Sequence, residues 1–200
     1  YRRAIVCEPR GSDIIVGALL TPPVNPQSTA GVIFFNNVGT LGMCGHGLIG
    51  LAVVLRHLQK IDQGRFSIDT PVGTVHFEML PENQVRIENV PSFRWTKLQP
   101  VGIFPGTPRS RIIHGDIAWG GDWFFICEDH GETIDAGNIP QLQDVSLEIR
   151  RRLDELKITG RNGQVIDHIE LIEASRNPVR SDAKNFVLCP GAAYDRSPCG

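Results

Sequence analysis

The sequence predicts an α/β (α+β) protein built from two similar lobes, and three observations support this. Short runs of alternating apolar and polar residues recur between turns, which predicts many strands. Residues 45–59 are apolar with helical spacing and predict a helix enclosed by the rest of the fold. A strand, a turn and a Cys-Gly pair occur in that order twice, over residues 32–45 and 186–200. This repeat indicates two lobes of similar construction.

The first lobe is predicted to place several strands around the helix at 45–59. Apolar runs and period-two alternation place these strands at residues 1–6, 14–20, 31–35, 75–79 and 85–87. The last two strands flank a Pro81-Glu82-Asn83 turn, so we expect them to form a hairpin with one polar face.

The second lobe is predicted to begin near Pro108, which gives lobes of residues 1–108 and 109–200 and leaves the proline-bearing stretch before Pro108 irregular. Its strands are predicted at 112–126 with a break at Gly120-Gly121, at 165–172 and at 185–189. Apolar residues at steps of three and four predict an amphipathic surface helix over 142–156. Glu148 and Arg152 are spaced for an i,i+4 ion pair on that helix.

Composition gives no support to several classes of function. The 200 residues carry a net charge of -2, which gives no electrostatic reason to expect a nucleic acid or membrane partner. No apolar run approaches the roughly 18 residues of a membrane span. Five cysteines without framework spacing fit a reducing cytoplasm better than a secreted disulfide scaffold. Since Tyr1 is not a start methionine, we expect an internal fragment that is inactive or unstable alone.

The segment Met43-Cys44-Gly45-His46-Gly47 places a cysteine where a helix begins. There, unsatisfied N–H groups and the helix dipole stabilise a thiolate, and such sites lower a cysteine pKa from about 8.5 to roughly 3.5–7.5. A thiolate of this kind can act as a general base near neutral pH. Gly45 and Gly47 allow the backbone to approach a bound carboxylate, and His46 is placed to donate to a substrate or to tune the thiol.

A second cysteine segment, Asp195-Arg196-Ser197-Pro198-Cys199-Gly200, ends the sequence. Two thiols in similar settings suggest a pair that meets across a cleft, where one thiol takes a proton and the other gives one. Zinc held by Cys44, His46 and Cys199 would lack the usual ligand spacing, so we expect no metal. The remaining cysteines lie in apolar strand patterns and are expected in the core. They are Cys7, Cys127 and Cys189.

Both cysteine segments resemble the paired signatures of the proline racemase family. Further segments through most of the chain are similar to that family as well. They are residues 8–11, 17–23, 32–37, 69–73, 114–121, 167–171 and 185–191. Within the family, the chain is most similar to the epimerases that act on 4-hydroxyproline.

The resemblance implies a cofactor-independent reaction with two bases on opposite faces of a substrate α-carbon. Cys44 would act on one face and Cys199 on the other, so that one thiolate removes the α-proton while the opposite thiol delivers one. Asp195 would hold the substrate ammonium group, and His168 would line the pocket and is placed to meet a ring hydroxyl. The substrate-binding residues implied by the family are Gly45, His46, His168, Asp195 and Gly200.

The resemblance also implies a diaminopimelate epimerase-like fold, in which two pseudo-symmetric lobes each wrap a curved, mostly antiparallel sheet around a central helix. The implied reaction converts trans-4-hydroxy-L-proline to cis-4-hydroxy-D-proline in the cytoplasm, with a small-molecule substrate as partner and a homodimer left open. Two alternatives stay open as well. One is a proline racemase, and the other is a non-catalytic binding or redox module with a Cys44–Cys199 disulfide.

Overall fold

The computed structural model describes residues 1–197 and 199, and these form two compact units. Unit 1 comprises Tyr1–Ser92 together with the described residues after Asp195. Unit 2 comprises Phe93–Asp195. The segment that carries the second cysteine motif therefore starts in unit 2 and ends in unit 1.

The division between the units lies at Ser92, earlier than the boundary near Pro108 that the sequence suggested. Residues 93–103 pair antiparallel with residues 111–119, so the chain on both sides of Pro108 belongs to one pair of neighbouring strands. A boundary at Pro108 would cut through this pair and its hydrogen bonds.

Unit 1 contains a six-stranded sheet. Its strands are β1 (Gly17–Thr21), β2 (Ala30–Phe35), β3 (Thr40–Leu41), β4 (Gly64–Thr70), β5 (Gly73–Met79) and β6 (Val85–Glu88). They lie in the order β1-β2-β4-β5-β6, with β3 paired to β2, and β2 and β4 run parallel. The predicted hairpin is confirmed as β5 and β6, whereas β4 was not predicted.

The first residues of unit 1 form helix α1 (Arg2–Val6), so the prediction of a strand there is wrong. Val6 is the buried residue of this helix. The Cys7 N–H donates to the Arg3 carbonyl at 3.2 Å, which is a local helical bond. The segment has a single apolar residue to bury, and backbone N–H and C=O groups of the segment are hydrogen-bonded to one another within the helix. It therefore needs no neighbouring strand.

Helix α2 (Gly45–His57) confirms the helix predicted after Cys44. The residues it buries are Leu48, Leu51, Ala52 and Leu55. These four recur at steps of three, one and three, so they form one stripe along the helix. The expectation of burial on every side is wrong, because Ile49 and Val54 on other faces are 41% and 50% exposed.

Unit 2 contains a five-stranded sheet in the order β11-β10-β9-β8-β7. Its strands are β7 (Phe93–Ile103), β8 (Arg111–Trp119), β9 (Trp123–Cys127), β10 (His168–Ala174) and β11 (Ala183–Leu188). Strands β9 and β10 are parallel, and the other neighbours are antiparallel. Strand β7 contradicts the irregular stretch predicted before Pro108. Pro100 is tolerated within it because β7 lies at the edge of the sheet.

Helix α3 (Ile139–Glu155) packs on this sheet and confirms the predicted amphipathic helix. Its core residues are Leu142, Val145, Ile149 and Leu153. The predicted Glu148–Arg152 ion pair is wrong. Glu148 instead pairs with Arg151 at 2.7 Å, while the Arg152 Nε donates to the Gly102 carbonyl at 2.8 Å.

Each unit thus has a mostly antiparallel sheet and one long helix, which agrees with the predicted mixed α/β class. Among the described residues, every helix is too short or too polar to cross a membrane.

Candidate active site

Cys44 caps the N-terminus of α2. Its backbone is extended, with φ -144° and ψ 109°, and its carbonyl accepts the Leu48 N–H at 2.9 Å. The thiol is buried, with Cys44 8% exposed. It therefore lies at the end of the helix where N–H groups lack intrahelical partners and where the dipole favours negative charge.

Gly47 leaves the space that the Cys44 thiol occupies. A Cβ at Gly47 would lie 3.2 Å from the Cys44 Sγ and 3.0 Å from ring atoms of Phe34. Phe34 is fully buried on β2, so its ring has little room to move. The glycine therefore permits the first turn of the helix to lie close to both the Phe34 ring and the sulfur.

His46 lies between the Cys44 thiol and a serine of the second cysteine segment. The Cys44 Sγ is 3.6 Å from Nε2 and 3.8 Å from Nδ1 of the imidazole. The Ser197 Oγ is 2.9 Å from Nδ1. The serine hydroxyl can donate to or accept from Nδ1, so this contact holds the imidazole ring in place beside the sulfur.

The bond between Ser197 and His46 joins the two cysteine segments within unit 1. Cys199 follows Ser197 by two residues, so its Cα lies within about 7 Å of the serine Cα. Cys199 is half-buried. All five cysteines are described, and none of them is in a disulfide. The predicted site residue Gly200 lies outside the described residues.

His168 is a buried residue at the start of β10 in unit 2. Its Nδ1 lies 2.8 Å from the Asp167 Oδ1, and its ring stacks on Phe124 with 4.5 Å between centroids. Burial opposes a positive charge here, but hydrogen bonds to Asp167 and Cys189 outweigh it and raise the pKa of His168 to about 10.

Asp195 lies beside Cys189 in the same unit. The Cys189 thiol donates to the Asp195 Oδ2 at 3.8 Å, and the Asp195 N–H donates to the Val187 carbonyl at 2.9 Å. Cys189 follows the last residue of β11 and is half-buried, so the expectation that it is a core residue is wrong. Its thiol faces polar groups because the strand has ended before it.

The other two cysteines differ from each other. Cys127 is fully buried on β9, which confirms the core prediction, and burial raises the pKa of its thiol. Cys7 is half-buried at the end of α1 and lies 3.7 Å from the Asn37 carbonyl, so the core prediction for it is wrong.

The family model described as proline racemase matches residues 1–200. The chain belongs to the proline racemase family. Over 200 residues it is 50% identical to a 4-hydroxyproline 2-epimerase of Acinetobacter baumannii (strain AYE). It is 52% identical over 200 residues to a 4-hydroxyproline 2-epimerase of Pseudomonas fluorescens. Each match covers 100% of this chain and 62% of the relative, so the chain spans less than two thirds of these proteins.

One solved structure has the same fold. It is a hydroxyproline epimerase from Agrobacterium vitis with bound trans-4-hydroxy-L-proline. The TM-score is 0.87 at 20% sequence identity, and the match covers 100% of this chain and 60% of that chain. The likeness confirms the diaminopimelate epimerase-like fold class that the sequence indicated.

The site residues predicted for a proline racemase fall into one cluster in each unit. Unit 1 holds Cys44, Gly45 and His46 at the start of α2, together with the segment of Cys199. Unit 2 holds His168 and Asp195, both beside Cys189. The sequence predicted no functional role for Ser197 or Cys189. The position of Ser197 inside the second cysteine segment was the one pattern that pointed to it.

Replacing Gly47 with alanine is expected to destabilise the protein by about 1–3 kcal/mol, because the added methyl crowds the Phe34 ring and the Cys44 thiol. The matched control is Gly50→Ala on the same helix, where an added Cβ meets no atom within 4 Å. That change is expected to stabilise α2 by up to about 1 kcal/mol. Thermal denaturation of both variants measures the difference, and shifts of the same sign would contradict the assignment of this space to the thiol.

Proposed function

We propose that the full-length protein is a cofactor-independent epimerase of trans-4-hydroxy-L-proline that uses Cys44 and Cys199 as its two acid–base groups. The observation that carries the proposal is the hydrogen bond between Ser197 and His46. It ties the segment of Cys199 to the helix start that holds Cys44. The identity to curated 4-hydroxyproline 2-epimerases supports the substrate class.

In this reaction the α-proton leaves on one sulfur and a different proton arrives from the other. A thiolate takes the α-proton and becomes a thiol, the α-carbon becomes transiently planar and electron-rich, and the opposite thiol protonates its other face and becomes a thiolate. The reverse reaction exchanges the two roles. Charge is conserved within the pair, so no oxidant or reductant is required.

The electron density that develops on the α-carbon spreads into the substrate carboxylate. The α2 N-terminus at Gly45 supplies outward N–H groups and a positive dipole end for that carboxylate. A Cβ at Gly45 would meet no atom within 4 Å, so the space beside this residue is open. The Asp195 carboxylate supplies a negative charge that pairs with the substrate ammonium group.

His46 and His168 have different tasks in the proposal. His46 holds the Cys44 thiol from one side, with Ser197 fixing its orientation. His168 offers a buried polar nitrogen for the ring hydroxyl that distinguishes hydroxyproline from proline. The proposal includes no cofactor or metal. Its partner is this small amino acid rather than a nucleic acid or membrane, its compartment is the cytoplasm, and a homodimer is compatible with it.

The test follows the α-proton of trans-4-hydroxy-L-proline in D2O by proton NMR, with optical rotation recorded in parallel. We expect the full-length protein to replace the α-proton with deuterium and to form the cis-D isomer. L-proline is the matched substrate, and we expect it to react more slowly because it lacks the hydroxyl. Faster reaction of L-proline would identify a proline racemase instead, and no exchange with either amino acid would end the proposal.

A further inference from the structure

Four polar side chains of unit 2 form a continuous chain from Asp167 to Asp195. The Asp167 Oδ1 lies 2.8 Å from the His168 Nδ1. A ring nitrogen of His168 lies within 4.8 Å of the Cys189 Sγ, and the two side chains are hydrogen-bonded. The Cys189 Sγ donates to the Asp195 Oδ2 at 3.8 Å. The sequence predicted a role for two of these groups, and Cys189 is the residue that connects them.

The hydrogens of these four side chains can be assigned when both aspartates are ionised and Cys189 is a thiol. A carboxylate accepts only, so Asp167 must receive the proton on the His168 Nδ1. A thiol has one hydrogen, and Cys189 uses it toward Asp195. The Cys189 sulfur therefore accepts from the His168 Nε2, which must carry a proton as well. With both ring nitrogens protonated, His168 is an imidazolium.

We infer that Cys189 is a positioning residue that links the imidazolium of His168 to the carboxylate of Asp195. This rests on the proposed function, in which Asp195 binds the substrate ammonium group. Cys189 holds the carboxylate in place before substrate arrives and satisfies the second proton of His168. In the proposed reaction it neither removes nor delivers the α-proton.

The backbone around Cys189 is itself held in place. The Arg150 Nη2 on α3 donates to the carbonyls of Asp167 and Cys189 at 2.9 Å each, and to that of Leu188 at 3.2 Å. One guanidinium group thus fixes the chain beside His168 relative to the chain beside Cys189. The Cys189–Asp195 bond is 3.8 Å long, and the backbone holds both of its ends. The Cys189 N–H donates to the Ala193 carbonyl at 2.8 Å, and the Asp195 N–H donates to the Val187 carbonyl at 2.9 Å.

Other charged groups near His168 also affect its protonation. Glu170 is buried two residues along β10 and accepts from the Asn185 Nδ2 at 2.9 Å. Burial raises the pKa of Glu170, and the His168 charge opposes that effect. On the side of α3, the guanidinium of Arg150 faces Asp167 and Cys189. Glu170 and Arg150 are unchanged in the Cys189 variants described below, so they do not account for a difference in His168 titration between those variants.

The test compares Cys189→Ala and Cys189→Ser in the full-length protein. Alanine removes the link, and we expect the KM for trans-4-hydroxy-L-proline to rise about five- to tenfold while kcat changes less than about threefold. Serine both accepts and donates, so it should return the KM to within about threefold of the original value. NMR titration of the His168 ring gives a second readout that needs no turnover. Its midpoint should fall from about 10 by at least about one pH unit in the alanine variant.

Cys127→Ala is the matched control, because its thiol also donates to a carboxylate of unit 2, the Asp129 Oδ1 at 3.3 Å. We expect it to lower thermal stability and to leave both the KM and the His168 titration unchanged. The inference is overturned when Cys189→Ala leaves the His168 titration unchanged, or when it alters only stability. Absence of turnover in the unaltered protein would refute the proposed function, and the titration would still decide the role of Cys189.

Discussion

Serine in place of either Cys44 or Cys199 is expected to lower epimerisation in the full-length protein by more than about a thousandfold. An alcohol ionises far above the range in which a thiol does, so a serine at either position neither removes the α-proton nor forms the thiolate that remains after donation. The measurement is the rate of change in optical rotation with trans-4-hydroxy-L-proline under reducing conditions.

The two serine variants should also differ from each other in deuterium exchange. Each variant retains one thiol, and that thiol reaches one face of the α-carbon. Each variant should therefore exchange the α-proton of one stereoisomer slowly and with retention. The stereoisomer that Cys44→Ser exchanges should be the opposite of the one that Cys199→Ser exchanges. Cys7→Ser is the control, since this half-buried thiol lies 3.7 Å from the Asn37 carbonyl and has no part in the proposed reaction. Substantial inversion by either site variant would refute the two-base assignment.

The placement of Cys44 could be predicted because every feature that fixes it is local. The strand, the glycine-rich turn and the apolar helix follow one another along the chain, and a helix that begins at Gly45 leaves Cys44 as its cap. The same reasoning located the β5–β6 hairpin, where alternation and a turn are adjacent in sequence. Patterns of this kind involve residues that are adjacent in sequence, so they predict the local structure without knowledge of distant contacts.

The sequence could not show which side chains of the two cysteine segments meet. Ser197 and His46 are separated by 151 positions, and no periodicity relates them. The core assignment of Cys189 failed for a similar reason. It follows an apolar strand directly, and whether its thiol enters the core or faces polar groups depends on where the strand ends and on what lies beside it.

Two predictions were wrong because the position of an element in the fold was unknown, one concerning a proline in a strand and the other the burial of a helix. Pro100 argued for an irregular segment, but an edge strand accepts proline because one row of its backbone groups has no ladder partner. The apolar character of α2 argued for enclosure, yet Val54 is half exposed in this chain. In both cases the deciding quantity was the position of the element in its layer, which the sequence pattern does not encode.

Arg150→Met is expected to cause the largest loss of stability among the changes considered outside the core. Its Nη2 donates to three backbone carbonyls, those of Asp167, Leu188 and Cys189. Methionine has a side chain of similar length but donates no hydrogen bond. A half-buried carbonyl that loses its donor lowers the free energy of unfolding. We expect a loss of about 2–4 kcal/mol, measured as a fall in Tm of several degrees.

The next residue provides the control. Arg151 is exposed and pairs through its side chain with Glu148 and Glu155. Such surface pairs are screened by solvent, so Arg151→Met should leave the Tm nearly unchanged. Arg150→Met should in addition disturb the His168 titration, because the carbonyls it releases flank His168 and Cys189. Equal shifts in Tm for both variants, with the His168 titration intact, would show that Arg150 is an ordinary helix-surface cation. A larger fall in Tm for Arg150→Met, together with an altered His168 titration, would show that α3 holds the start of β10 and the end of β11 together. The Cys189 thiol and the His168 imidazole stay in contact only while these two strand ends are held in this way.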